Sequence, residues 1–224
     1  MNVLALDTAT EALGLSLRAG DATASVLLQA GLRHAETLLP QVQRLLQEAQ
    51  LEPAELDLIV CSLGPGSFTG IRIGLAAAKG LAFGSGGRCG LTGVSTLAGL
   101  TWRLRGFPGA VVAVNASLRR RYHAGLFRQG RLEGEYLELE LPQMAERLAA
   151  EPLLFLTGSG AEGLEAALRE RRDGEGLFAA TSPPADPLGL LEAGLARYRE
   201  HGPEPELAPL YLRKSEAEIQ RDRA

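Results

Sequence analysis

Three groups of side chains in this 224-residue chain are of types that could do chemistry. Gly64-Pro65-Gly66-Ser67 joins an apolar run to a helical pattern, and backbone N–H groups at such a turn can hold an anion. His34, His123 and His201 could act as bases or metal ligands, and Arg119-Arg120-Arg121 could meet a phosphate. The spacing argues against most of this. GPGSFTGIRIG, residues 64–74, matches neither GxxxxGK[ST] nor GxGxxG, and Lys79 comes too late to reach a phosphate at the turn. It reads as a tight turn followed by a packing helix, with Ser67 as its N-cap. Ser67 lies in Gly-Ser-Phe-Thr-Gly rather than in the GxSxG of a nucleophile elbow, so a hydrolase lacks its motif. The histidines are dozens of residues apart, outside any HxxxH or HExxH spacing. His34 reads as a capping or surface residue, with Glu36 as first-turn charge. Cys61 and Cys89 are too few for a disulfide framework or a zinc site and read as small buried packers. The arginine run reads as a solvated turn, the alternative being a contact for an acidic partner or a tRNA phosphate.

Composition narrows the class. With 46% apolar residues and a net charge of −4, the chain is a globular protein rather than an electrostatic nucleic-acid binder. No run approaches the roughly 20 apolar residues of a membrane span. The N-terminus opens on a strand pattern rather than a signal sequence, so a cytoplasmic protein without membrane contact is expected.

The elements that must position these residues follow a pattern. Strands are expected over residues 2–7, 12–17 and 22–29, joined by short turns. An amphipathic helix follows over residues 32–50, with Pro40 either kinking it or confining its regular part to the residues beyond. Leu58-Ile59-Val60-Cys61 reads as a buried strand, and residues 68–83 as a helix with only Thr69, Arg72 and Lys79 polar. A helix so apolar needs cover on two sides. After a loop at residues 105–109 the order repeats, with strands at 110–116, 121–127 and 132–139, a helix at 142–150, a strand at 152–157 and a helix at 161–171. A short strand at 177–180, a linker at 182–187, a helix at 188–200, an extended tail at 203–212 and a charged, fraying end at 214–224 complete the chain. Strand-strand-strand-helix-strand-helix, written twice on mixed sheets, describes an α/β fold of duplicated ribonuclease-H-like type, the two-lobed architecture of actin, Hsp70 and the sugar kinases. The lobes are expected at residues 1–106 and 107–224.

Active members of that class hold ATP phosphates between the lobes with two strand-turn loops. Here the first loop, Asp7-Thr8-Ala9-Thr10-Glu11, has no glycine to let the backbone close on a phosphate. The second, Asn115-Ala116-Ser117-Leu118-Arg119, offers an amide where a carboxylate would organise magnesium. Gly158-Ser159-Gly160 looks like a worn adenosine loop. No catalytic residue, cofactor or metal is therefore expected.

Asp7-Thr8-Ala9-Thr10, His34-Ala35-Glu36 with Leu38-Leu39-Pro40, and above all Gly64 through Gly74 resemble the bacterial TsaB family, also called YeaZ. The resemblance is sharp over residues 2–97 and extends weakly to Pro209-Leu210-Tyr211-Leu212-Arg213. Asn115-Ala116-Ser117 departs from the family's Asp-Ala-Arg-like string. The resemblance implies a non-catalytic scaffold in the synthesis of N6-threonylcarbamoyladenosine in tRNA. Its partners would be the paralogous transferase TsaD, which carries the metal-binding histidines and nucleotide site, and the ATPase TsaE, with tRNA met only through the complex. The two apolar helices supply the expected partner surface, at Leu38, Val42, Gly70, Gly74, Ala77 and Leu81, which would close a homodimer when the paralogue is absent. An ATP-dependent small-molecule kinase of the same fold and a peptidase remain as alternatives.

Overall fold

The computed structural model describes residues 1–31, 33–117 and 120–212. The charged end at 214–224, Arg213 and Arg119 of the arginine run lie outside the described residues. The first sheet is built from β1 (Val3–Asp7), β2 (Ala12–Ala19), β3 (Ala22–Gln29), β4 (Leu58–Ser62) and β5 (Gly90–Val94), in the order β3-β2-β1-β4-β5. Its helices are α1 (His34–Glu48), α2 (Phe68–Gly84) and α3 (Thr96–Trp102). The second sheet takes β6 (Ala110–Ala116), β7 (Tyr122–Arg128), β8 (Arg131–Leu139), β9 (Leu154–Gly158) and β10 (Leu177–Thr181) in the same relative order, β8-β7-β6-β9-β10. With α4 (Leu141–Leu148), α5 (Ala161–Arg169) and α6 (Pro187–His201), the order of elements is identical in both halves. In each sheet the first three strands are antiparallel and the last two join in parallel. The fold is the two-lobed, duplicated ribonuclease-H-like one expected, and the repeat is longer than the sequence pattern indicates by one strand and one helix.

The helices at the lobe junction are exchanged. α6 lies on the first sheet, where Leu190, Leu191 and Leu195 pack with Val3, Ala5, Leu58 and Val60. α3 lies on the second, where Leu97 and Leu100 pack with Ala113 and Phe127. The expected boundary at 106/107 therefore separates each of these helices from the sheet that it covers. On the outer faces α1 and α2 close one core over the first sheet, and α4 and α5 another over the second.

α1 runs unbroken through Pro40. The proline removes one donor and crowds the preceding turn, but Glu36 and Pro40 are both exposed, so water reaches the carbonyl left without its usual partner. Ser67 caps α2, its Oγ accepting from the Gly70 N–H at 3.1 Å. Asp186 caps α6 in the same way through Gly189, at 2.9 Å. The described residues include no helix long and apolar enough to cross a membrane.

Candidate functional site

A cleft of about 780 Å³ opens between the lobes and is lined by both strand-turn loops and the start of α2. The first loop is consumed by its neighbours. Its Ala9 carbonyl accepts from the Ser67 N–H at 2.6 Å, and its Thr10 carbonyl meets His34 Nε2 at 2.7 Å. Thr8 Oγ1 donates to the Gly70 carbonyl at 2.7 Å. This close seating requires Gly66, Gly70 and Gly74, spaced four residues apart across the turn and the start of α2. A Cβ at these positions would overlap the Ala9 carbonyl, the Thr8 carbonyl and the Thr8 hydroxyl respectively. The glycines expected to admit a second helix instead admit the chain's own loop.

Asp7 is 1% exposed and absent from the cleft lining. Burial raises its pKa from 3.8 to about 6, against the opposing pull of the Ala9 N–H and the Ser62 hydroxyl. It is a buried acid of the β1 turn, placed to hold the backbone (Ala9 N–H to Oδ1, 3.0 Å) rather than a metal. Among the described residues no group of three His, Cys, Asp or Glu could hold a metal ion.

The second loop is equally occupied. Asn115 Nδ2 donates to the Pro184 carbonyl at 2.7 Å, while Oδ1 accepts from the Ser159 N–H at 3.1 Å. Ser159 Oγ in turn accepts from the Ala116 N–H at 3.0 Å. One side chain must donate and accept here, which an amide does and an ionised carboxylate cannot. Asn115 thus pins the second loop to the Gly158–Gly160 turn and to the segment 182–187, which is threaded beside the cleft rather than hanging free.

Strand pairing also brings together a set that sequence spacing conceals. Asn115 faces His123 across β6 and β7, and His123 faces Glu138 across β7 and β8. Ser117 Oγ lies 3.3 Å from His123 Nε2 and 3.5 Å from Glu138 Oε1. Burial lowers the His123 pKa, with Glu138 opposing. This is a nucleophile beside a base, yet the neighbouring amides are spent, Ser117 N–H on Arg121 and Ala116 N–H on Ser159. Glu138 bonds the serine and pairs with Arg121 at 3.8 Å, so it is not free to orient the imidazole. Neither the Ala116 nor the Ser117 N–H is therefore left to act as an oxyanion donor. The described residues lining the cleft include the carboxylates Glu11 and Glu138.

His34 is buried rather than surface-facing, its Nδ1 without a hydrogen-bond partner in the described structure. Cys61 and Cys89 are buried as expected, their pKa values pushed up by burial to about 12 and about 11.

Of the six residues expected on a partner surface, four turn inward. Leu38 and Val42 belong to the core under α1, and Gly70 and Gly74 press on Thr8. Ala77 and Leu81 are half-buried and border a second, shallower groove of about 460 Å³. It is lined by Ala76, Ala77, Gly80, Leu81 and Gly84 of α2 on one side and by Leu39, Glu52, Pro53 and Ala54 on the other. Leu39 of α1 is 51% exposed, and Phe83 at the end of α2 is 88% exposed. The helices are those expected, but the outward face lies round α2 from the stripe read in the sequence, because Gly70, Gly74 and Ala78 are taken by the protein itself.

Residues 28–150 match the family model described as TsaD, tRNA N6-adenosine threonylcarbamoyltransferase. The chain is 36% identical over 128 residues to the tRNA threonylcarbamoyladenosine biosynthesis protein TsaB of Escherichia coli (strain K12), covering 55% of this chain and 54% of that protein. It is 30% identical over 228 residues to the TsaB of Bacillus subtilis (strain 168), covering 97% of this chain and 96% of that one. The match thus spans about half of the first relative and nearly all of the second. The solved structure of YeaZ from Pseudomonas aeruginosa superposes with a TM-score of 0.76 at 32% identity, covering 94% of this chain and 99% of that one. With a relative matched end to end, a solved neighbour of the same two-lobed shape and the GPGSFTGIRIG turn seated on the β1 loop, the chain belongs to the TsaB family of tRNA threonylcarbamoyladenosine biosynthesis proteins.

Proposed function

We propose that this chain is a non-catalytic subunit of the apparatus that makes threonylcarbamoyladenosine in tRNA, and that it works by docking the transferase through the open face of α1 and α2. The observation that carries the reading is the exposed apolar strip of Leu39, Ala76, Gly80, Phe83 and Gly84 beside a groove lined on one side by small residues. Contiguous apolar surface rimmed by polar residues marks an interaction site. Small residues on a helix let a second helix approach closely, while a projecting aromatic needs a pocket to fill. The match of this chain to the transferase's own family model supports a partner of the same fold, whose corresponding helices would complete a four-helix contact. The filled phosphate region and the amide at Asn115 support the absence of turnover. Among the described residues no feature of the cleft favours the kinase reading, and the Ser117–His123 pair, whose own Ala116 and Ser117 amides are spent elsewhere, does not support a peptidase. On this reading the protein is cytoplasmic, pairs with itself through the same face when alone, and meets tRNA and the ATPase TsaE within the complex.

Gly80→Arg tests the docking face, because a Cβ at Gly80 meets nothing within 4 Å and the fold tolerates it. Titration against the purified transferase is expected to show at least about a hundredfold weaker association, since a buried unpaired charge costs several kcal/mol. Unchanged affinity for a folded Gly80→Arg protein would place the interface elsewhere. Threonylcarbamoyl transfer by the purified chain alone would overturn the non-catalytic role.

A further inference from the structure

α2 is a poor helix by composition. Four of its 17 residues are glycine, at 70, 74, 80 and 84, each less favourable than alanine by about 1 kcal/mol in a helix interior. Two of them, Gly80 and Gly84, lie on the open face, with no Cβ contact to hold it. The order and rotation of that face must come from what α2 leans on.

Part of that support is the segment 203–212, which leaves α6 and returns across the first lobe. The Glu204 N–H donates to the Leu91 carbonyl at 2.7 Å, and the Leu210 N–H to the Leu63 carbonyl at 2.7 Å. Leu207 is buried in the cluster that holds Leu75, Ala78 and Ala82 of α2. From α2, Lys79 Nζ donates to the Leu207 carbonyl at 3.1 Å and Arg72 Nε to the Tyr211 hydroxyl at 3.0 Å. The Tyr211 ring stacks on Phe68 with centroids 4.7 Å apart, and the Arg72 guanidinium lies 3.7 Å from the Phe68 ring centroid. Phe68, Arg72 and Lys79 form one stripe of the helix, and Ala76 and Gly80 form the stripe next to it.

We propose that residues 203–212 are a splint for the docking face. Through Lys79 and through the Arg72–Tyr211–Phe68 stack, the strap fixes the rotation and order of α2 that a partner helix reads, so residues that touch no partner set the strength of association. This rests on the docking face proposed above. It gives a task to both basic side chains of a helix that is otherwise almost wholly apolar. It also explains why an extended, proline-rich segment is held by backbone hydrogen bonds at both ends.

The test uses the full chain and the purified transferase. Tyr211→Ala and Lys79→Met change solvent-exposed side chains and empty no core. Each is expected to speed amide hydrogen exchange over residues 76–84 in the free protein and to weaken association about tenfold. Tyr211→Phe keeps the stack and Lys79→Arg keeps a donor, and both are expected to bind close to wild type. Faster exchange with weaker binding, restored by the conservative variants, supports the splint. Unchanged exchange or unchanged association in Tyr211→Ala and Lys79→Met, with Gly80→Arg still disruptive, overturns the splint and leaves the docking face standing. Unchanged association in Gly80→Arg overturns the docking face and the splint with it.

Discussion

The Thr8 hydroxyl donates to the carbonyl of Gly70 at 2.7 Å, in a buried contact between the first strand turn and the first turn of α2. Thr8 occupies the space that a side chain at Gly70 or Gly74 would need, and Ala9 does the same at Gly66. The start of α2 thus closes the β1 turn, and the glycine spacing records the closure.

Gly66→Ala and Gly70→Ala are expected to destabilise the fold by about 2–4 kcal/mol, because each added methyl meets backbone, which cannot swing aside as a side chain can. Thermal melting checks this. Gly80→Ala, facing open space, is expected to leave the midpoint unchanged or raise it slightly. Equal loss at Gly70 and Gly80 would contradict the packing described.

Asp7 makes stability depend on pH in a definite direction. Its pKa is raised from 3.8 to about 6 by burial, so the folded state favours the neutral acid. The stabilisation is fully present below pH about 4 and is lost as pH rises through 6, leaving a penalty of up to about 3 kcal/mol above that. Asp7→Asn keeps an acceptor for the Ala9 N–H but carries no charge. Denaturant midpoints of variant and wild type are expected to agree near pH 4 and to separate in favour of the variant by pH 8. A difference that stays flat from pH 4 to 8 would show that Asp7 is not the group responsible.

Glu204 has the opposite sign. Its pKa is lowered from 4.5 to about 2, first by Arg197, with further help from Thr92 and the Gly93 N–H and against partial desolvation. The stability that it contributes is present above pH 4.5 and is lost as pH falls through 2. Because Arg197 is partly exposed, the pair is discounted for solvent screening, and Glu204→Gln is expected to cost only about 1 kcal/mol at pH 7. Proteolysis in the strap should become faster in the variant. Unaltered cleavage and melting would mean that the strap is held by Leu207 and its backbone bonds alone.

Cys61 and Cys89 are expected to react slowly with maleimide at pH 7.5, since burial raises both thiols far above that pH. Cys89 should be the faster, being 8% exposed against 0% for Cys61. Denaturant should expose both at once.

The order of elements was readable in the sequence, because alternation marks β1 to β3 and the apolar stripe of α1 is strong. α3 was not. Its seven residues, Thr-Leu-Ala-Gly-Leu-Thr-Trp, are covered by both lobes, so no polar face gives it a period. Which face of α2 turns inward is hidden in the sequence for a related reason. A four-residue glycine repeat looks the same whether it admits a foreign helix or the chain's own turn, and only the position of Thr8 decides between them. Residues 203–212 read only as an extended tail because of their prolines, whereas their hold on the first lobe comes from backbone groups and from Leu207. Asn115 was seen as a missing carboxylate, and its positive task as donor to Pro184 appears only once the segment 182–187 is seen beside it.

The exchange of α3 and α6 bears on the order in which the protein can be made. Val3, Ala5, Leu58 and Val60 emerge early from a ribosome, but the helix that covers them begins at Pro187. The inner face of the first sheet therefore stays bare until almost the whole chain has been synthesised. Its closure joins residues more than 180 positions apart in sequence, between Val3 and Leu190, and contacts of such separation form late and slowly. During that interval the nascent chain presents an unsealed apolar sheet, so truncation before α6 should leave an aggregating fragment rather than a smaller folded lobe.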